Sequence, residues 1–228
     1  MTDVAASRPL RKDAARNRAL LVQAAREVFA ERGLEASLDD VARHAGLGVG
    51  TAYRHFANKH ELAQAILTEA IDRIIALADA AAEADDPWAG VVSFLEGVAE
   101  AQNADRGLRE ILMGMHDPAQ VERINERMRE PLQVIVQRVK TTGRVRPDIE
   151  PSDLGVVVMM LCTVADITGG IAPDLWRRYL PLLLDGLGGN SPLPVPALDH
   201  DEMRDAMMSH KQHMARAAHP PKTGCESA

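Results

Sequence analysis

The side chains of this chain best suited to chemistry lie close together, in Val49-Gly-Thr-Ala-Tyr-Arg-His55, with Lys59 four positions on. Thr51, Tyr53, Arg54 and His55 bring hydroxyl, phenol, guanidinium and imidazole groups into five residues, more hydrogen-bonding capacity than a short helix needs to fold. Such groups suit phosphate oxygens and base edges; Val49 can meet a thymine methyl, and the bare backbone at Gly50 allows close approach. Nothing comparable points to catalysis. Cys162 lies in an apolar stretch without a nearby partner and Cys225 is the only other cysteine, so no disulfide framework is indicated and a reducing compartment fits. His200, His210, His213 and His219 gather near the C-terminus beside Asp199 and Asp201. A solvated tail is the better reading of that polar segment, and neither a metal nor a cofactor is expected.

These groups need a frame, and composition limits what it can be. The 228 residues are 46% apolar and 26% charged, enough for one large domain or two small ones with a real core. Net charge is −7 and aromatics are 3%, which excludes a generally basic nucleic-acid coat and argues against base stacking on single strands. The average hides a division. Residues 1–60 hold ten Lys and Arg against seven acids, net +3, and the remainder carries −10. Arg8, Arg11, Lys12, Arg16 and Arg18 form a basic run interrupted by one acid, Asp13. The N-terminus has no apolar core of the signal-peptide kind, and the longest uncharged stretch within a helical segment, Leu154 to Ala165, is short of the roughly 20 residues a spanning helix needs. A cytoplasmic protein without membrane contact is expected.

Apolar positions recur at helical spacing almost everywhere and no alternating strand pattern appears, so the fold class is all-α with about nine helices. Leu21, Ala24, Ala25, Val28 and Phe29 make the stripe of a first helix that stops at Gly33. Ser37 and Asp40 have capping-box spacing for a second helix with Leu38, Val41, Ala42 and Ala45 on its apolar face. Gly46-Leu-Gly48 is a tight turn into a third helix near 49–56, and Asn58 and Glu61 cap a long fourth helix. Further helices are expected near 88–102, 107–115, 119–141 with Pro131 kinking it, 151–168 and 174–187. Beyond them runs Gly188-Gly-Asn-Ser-Pro-Leu-Pro-Val-Pro196, a linker by composition, before a polar tail whose Met203, Met207 and Met214 have the spacing of a weak amphipathic helix.

Three compact helices with a glycine turn between the second and third form the helix-turn-helix pattern. Here the sequence from Ser37-Leu-Asp-Asp-Val-Ala-Arg-His-Ala-Gly46 through Gly50-Thr-Ala-Tyr53-Arg-His-Phe56 to Lys59-His-Glu-Leu62 resembles the signature of the tetracycline-repressor (TetR) family of bacterial transcription regulators, over about Ala14 to Ala70. Gly48 stands where relatives usually carry Ser, and Ala52 where they carry a larger aliphatic. The resemblance implies that Thr51, Tyr53 and His55 hold phosphates or line the groove and that Lys59 grips the backbone. Val49, Gly50, Tyr53 and Arg54 would choose sequence, and Ser37, Arg11 and Arg16 add DNA contacts. Leu47, Ala52 and Phe56 belong to the core.

The organisation implied is a basic arm at 1–13, a DNA-binding domain at 14–74 with its helix-turn-helix near 37–56, a ligand-binding and dimerisation domain at 75–188, and a linker with a flexible tail at 189–228. Methionines cluster in the third segment: Met113, Met115, Met128, Met159 and Met160. By resemblance alone, Leu95, Ile111, Met115, Ile135, Met159 and Trp176 line an apolar pocket, with His116 and Asp166 as polar candidates. The last two helices are apolar over more than one face, which asks for a cover. The family's homodimers supply one. Expected partners are therefore a pseudo-palindromic double-stranded operator, a second copy, and a small, largely apolar effector that tilts the long helix and releases DNA. The runner-up is the same DNA-binding head with a second half that only dimerises or binds a protein; a helical enzyme stands far behind.

Overall fold

The computed structural model describes residues 7–105, 107–108, 111, 118–189, 191–199, 201–206 and 209, excepting the side chains of 7–11, 118, 120 and 121. Among them the elements are α1 (Ser7–Arg32), a 3-10 turn (Gly33–Glu35), α2 (Leu38–His44), α3 (Val49–His55), α4 (Lys59–Glu83), α5 (Pro87–Ala104), α6 (Pro118–Thr141), α7 (Pro151–Thr168) and α8 (Trp176–Leu187), with no strand. The segment expected as a basic arm is helical from Ser7. Pro9 sits in the first turn, where its missing N–H costs nothing, and good helix formers follow. Pro131 lies inside α6, which continues through it to Thr141. Of the helix expected at 107–115, Gly107, Leu108 and Ile111 are helical; Met113 and Met115 lie outside the described residues.

Contacts divide the chain into two compact units, Met1–Ala76 with Gly97–Met115, and Leu77–Glu96 with His116–Ala228. The division expected after residue 74 is therefore interleaved, because a later segment returns to the first unit. In that unit Leu21, Val22, Ala25, Val28 and Phe29 of α1 are buried together with Leu38 and Val41 of α2, Ala52 and Phe56 at α3, Leu62, Ile66 and Leu67 of α4, and Val98, Ala99, Leu108 and Ile111. Gly46 takes φ +67, a left-handed conformation that glycine adopts without steric cost.

In the second unit, α4 and α5 approach so closely that a Cβ at Gly90 would lie 2.6 Å from the Ala81 carbonyl oxygen. Arg138 closes the end of α4 by donating to the carbonyls of Ala82 and Ala84 (2.7 Å for the latter), satisfying acceptors that a helix C-terminus leaves open. One side of α7 is buried through Leu154, Val157, Val158, Leu161 and Ala165, while Met159, Met160 and Ile167 are exposed. By length and mean hydropathy (1.4 over 18 residues) α7 passes the test for a membrane-crossing helix, with 33% of it buried in protein.

The stretch expected as a flexible linker is tied down as far as the structure describes it. Arg146 pairs with Asp148 (2.6 Å) and donates to the Ser191 carbonyl; Asp148 also accepts from the Leu193 amide (2.8 Å). Ser152 donates to the Leu198 carbonyl (2.8 Å). Asp199 and Glu202 cap a helical stretch at 201–206, from which Arg204 reaches Glu122 (2.8 Å) and Asp201 meets Arg129 (3.4 Å). These are long-range ties that a proline-rich composition does not announce. His200, His210, His213, His219, Met207, Met214 and Cys225 lie outside the described residues.

Two outcomes follow from this packing. Gly90→Ala should destabilise the protein by about 1–3 kcal/mol, the usual cost of overpacking, seen in urea or thermal melts. Asp148 is held down to about 2 by the Arg146 guanidinium and then by the Leu193 amide. A folded value below the ordinary 3.8 means that the tie is fully present above 3.8 and is lost as pH falls through about 2. Asp148→Asn should speed proteolysis within 191–199 at neutral pH, and wild type should gain that sensitivity only in acid.

Candidate nucleic-acid interface

The outward-facing group is built from the cap of α2 upward. Ser37 Oγ accepts from the Asp40 amide (3.1 Å) while Asp40 Oδ2 accepts from the Ser37 amide (3.0 Å), a reciprocal capping box. The Ser37 hydroxyl, then its amide, then the charges of Arg43 and Arg32 hold the Asp40 carboxyl below its ordinary range. Ser37, a candidate DNA contact, is thus occupied as a cap. The chain turns at Gly46, with the Leu47 amide bonded to the Ala42 carbonyl (2.9 Å), and restarts at Gly48, whose carbonyl accepts from Thr51 (2.8 Å). Gly48 caps α3 without a side chain, as glycine can.

Helix α3 has seven residues and one buried position, Ala52. Val49 is 38% and Tyr53 52% exposed, Gly50 and Arg54 are exposed, and Thr51 and His55 are half-buried. The candidate reading residues therefore share a short element whose inner side is seated through Ala52 and Phe56. Leu47, expected in the core, is half-buried. A Cβ at Gly50 would meet nothing within 4 Å. Asp39, which the sequence pattern did not single out, raises the Tyr53 phenol above its ordinary value by its charge and a hydrogen bond, and one of its own oxygens, Oδ1, is buried without a partner.

Flanking cations divide into those engaged and those turned outward. Lys59 opens α4 and donates to the Leu34 carbonyl (2.5 Å), so in this structure its ammonium ties α4 to the turn after α1. Arg18 lies over the Phe56 ring, 5.4 Å from its centroid, and pairs with Glu69 (3.2 Å). Arg16 is exposed on α1, and Arg11 falls in the same helix.

The candidate pocket residues fall in both units. Leu95, Ile135 and Trp176 are buried in the second unit and Ile111 in the first. Met159 is 45% exposed, and Asp166 is exposed as well; Met115 and His116 lie outside the described residues. An apolar groove of about 240 Å³ lies elsewhere, between α7 and α8, lined by Met160, Leu161, Val164, Tyr179, Leu182 and Leu183. Among the described residues, no group of three or more His, Cys, Asp or Glu could hold a metal ion.

Two family models match this chain: residues 21–66 fit the bacterial regulatory proteins of the tetR family, and 86–189 the C-terminal domain of SbtR-like transcriptional regulators. The chain belongs to the TetR family of bacterial transcriptional regulators. An HTH-type transcriptional regulator of Staphylococcus aureus is 37% identical over 67 residues, 29% of this chain and 36% of that protein's length. The match thus spans about a third of the curated relatives. A TetR transcription regulatory protein from Mycobacterium vanbaalenii superposes with a TM-score of 0.57 at 28% identity, covering 79% of this chain and 100% of that one. SmeT, repressor of a Stenotrophomonas maltophilia multidrug efflux pump, shares the fold at TM-score 0.55 and 20% identity over 78% of this chain and 97% of its own. The family and these neighbours are transcriptional regulators, not enzymes.

The α2 cap yields a direct test. Ser37→Ala should cost about 1 kcal/mol of stability, measured by urea unfolding at neutral pH. Because Asp40 is depressed below its ordinary 3.8, the box stabilises fully above that pH, and the difference between variant and wild type should shrink as pH falls through the folded value.

Proposed function

We propose that this TetR-family protein is a cytoplasmic repressor that binds a pseudo-palindromic operator as a homodimer and is released by a small, largely apolar effector. The observation that carries the DNA part is α3 itself: a short helix seated through Ala52, with Val49, Gly50, Tyr53 and Arg54 outward on a net-basic head. Val49 and Gly50 would lie against base edges with Arg54, while Thr51, His55 and Lys59 hold phosphates, with Arg11 and Arg16 adding charge from α1. Lys59 keeps two further donors when one is given to Leu34. Two-fold symmetry would set two reading helices about 34–36 Å apart.

Pairing is supported by the exposed apolar face of α7 and α8, where Met160 is 49% and Leu182 60% exposed beside the apolar groove. A contiguous patch of this kind is uncommon on a monomer, and a second copy is the cover the family's architecture suggests. Effector control is supported by the adaptable Leu- and Met-rich second half and by Asn103, whose amide nitrogen and oxygen are both buried without a partner; a polar group of a ligand would satisfy them. Binding would tilt α4, and a near-complete switch needs about 5.5 kcal/mol of preference between the two states.

Selection from random duplex DNA followed by fluorescence anisotropy tests this reading. A palindromic site should emerge, with affinity falling steeply as salt rises. Gly50→Ala should raise stability by roughly 0.5–1 kcal/mol, since alanine is the better helix residue, yet weaken operator binding about tenfold, equivalent to about 1.4 kcal/mol. Met160→Glu with Leu182→Glu should sediment as a monomer. No selected motif would sink the DNA reading. A motif unaffected by any of a panel of small apolar compounds would leave the second half a pairing or protein-binding module.

A further inference from the structure

One arginine of α1 is held differently from its neighbours. Arg26 is 15% exposed at its side chain; its guanidinium pairs with Asp105, 14% exposed, and with Glu69 of α4 (3.4 Å). Glu69 also takes Arg18 (3.2 Å), so the chain of charges runs Arg18, Glu69, Arg26, Asp105. Asp105 does two things at once: with Oδ2 it grips Arg26, and with Oδ1 it accepts from the Leu108 amide (2.8 Å), capping the helical segment that begins there. Two residues after Asp105, a Cβ at Gly107 would overlap the backbone carbonyl of the same Arg26. The segment after α5 therefore seats on α1 backbone to backbone and is fastened by an ion pair at the same point.

We propose that Arg26 is the positioning residue through which the segment after α5 and the reading helix sense each other, with Asp105 and Gly107 as its socket. This rests on the DNA-binding reading above. Its physical basis is rigidity: α1 carries Ala25, Val28 and Phe29 into the core it shares with α2 and α3, so a shift of Arg26 moves the seat of α3. Whatever displaces 105–108 changes that seat, and by thermodynamic reciprocity DNA on α3 must change the stability of 105–108. That makes the coupling measurable without knowing the effector.

The test is amide hydrogen exchange by mass spectrometry on the full chain, with and without a duplex obtained by selection from random DNA. In wild type the duplex should slow exchange in peptides covering 37–59 and, by roughly fivefold or more, in those covering 105–111, the lower range of ordinary coupling. In Asp105→Asn, which keeps an acceptor for the Leu108 amide, 37–59 should still slow while the response of 105–111 drops below about twofold. Arg26→Gln should do the same and serves if the first variant does not fold. Arg26→Lys, with its charge kept, should recover part of the response. A purely structural ion pair would lower the melting temperature of the variants but leave the 105–111 response intact, and that result overturns the proposal. So does a wild type in which 37–59 responds and 105–111 does not. If 37–59 never responds to any selected duplex, it is the DNA-binding reading that fails, and the coupling fails with it.

Discussion

A helix of seven residues does not stand alone in water, because the cost of its first turn is recovered only over many more. That constraint governs the head of this molecule. Helix α3 must give its hydrogen-bonding face to the outside and has only Ala52 along its length, with Phe56 at its end, to hold it. Its persistence therefore belongs to its neighbours: the apolar stripe of α1, the capped α2, the left-handed turn at Gly46, and the start of α4. Lys59 on the Leu34 carbonyl and Arg18 over the Phe56 ring close the same ring of support from outside. Helix α3 thus leans on α1 and α4, which are longer, and on α2, which is capped by its own side chains.

Charge follows the same division of labour. Several acids of the first unit are engaged in caps and ion pairs within it. Asp40 belongs to its cap, Glu69 to two arginines, and Asp105 to Arg26. Glu27 is held below its ordinary range by Gln23 first and then by His44 at 2.7 Å. No acid lies within Val49–His55. Asp39 stands close enough to the Tyr53 phenol to raise it above its ordinary value, by its charge and then by a hydrogen bond. An overall −7 is thus compatible with a partner of like charge, since the acidity sits on residues beyond 60 and would discourage indiscriminate attachment.

Outside the head, much of the organisation rests on single long-range contacts made by arginines. Arg138 closes the end of α4, Arg146 pins the segment at 191–193, and Arg204 fastens the stretch at 201–206 to α6 through Glu122. The planar guanidinium can serve two partners at once, which an ammonium on a flexible stem does less well. Asp205 and Glu122 together push the Arg204 guanidinium further into its charged range. The residues after 189, beyond the span of the matched C-terminal domain, are for this reason part of the second unit as far as Ala206.

What the amino-acid order determined by itself was local. Helical periodicity marked the elements to within a few residues, the spacing of Ser37 to Asp40 and of Asn58 to Glu61 marked the caps, and the signature from Ser37 to Leu62 marked the family. All of these are patterns written within one or two turns, where side chains of the same helix or turn meet. What only the tertiary structure decided were encounters across the chain. Residues 97–115 return to the first unit, Arg26 meets Asp105, Lys59 donates to the Leu34 carbonyl, Met159 faces outward, and the proline-rich segment is anchored. None of these has a spacing rule. Each depends on which faces the folded helices leave open, and that follows from packing of the whole core rather than from any window of the sequence.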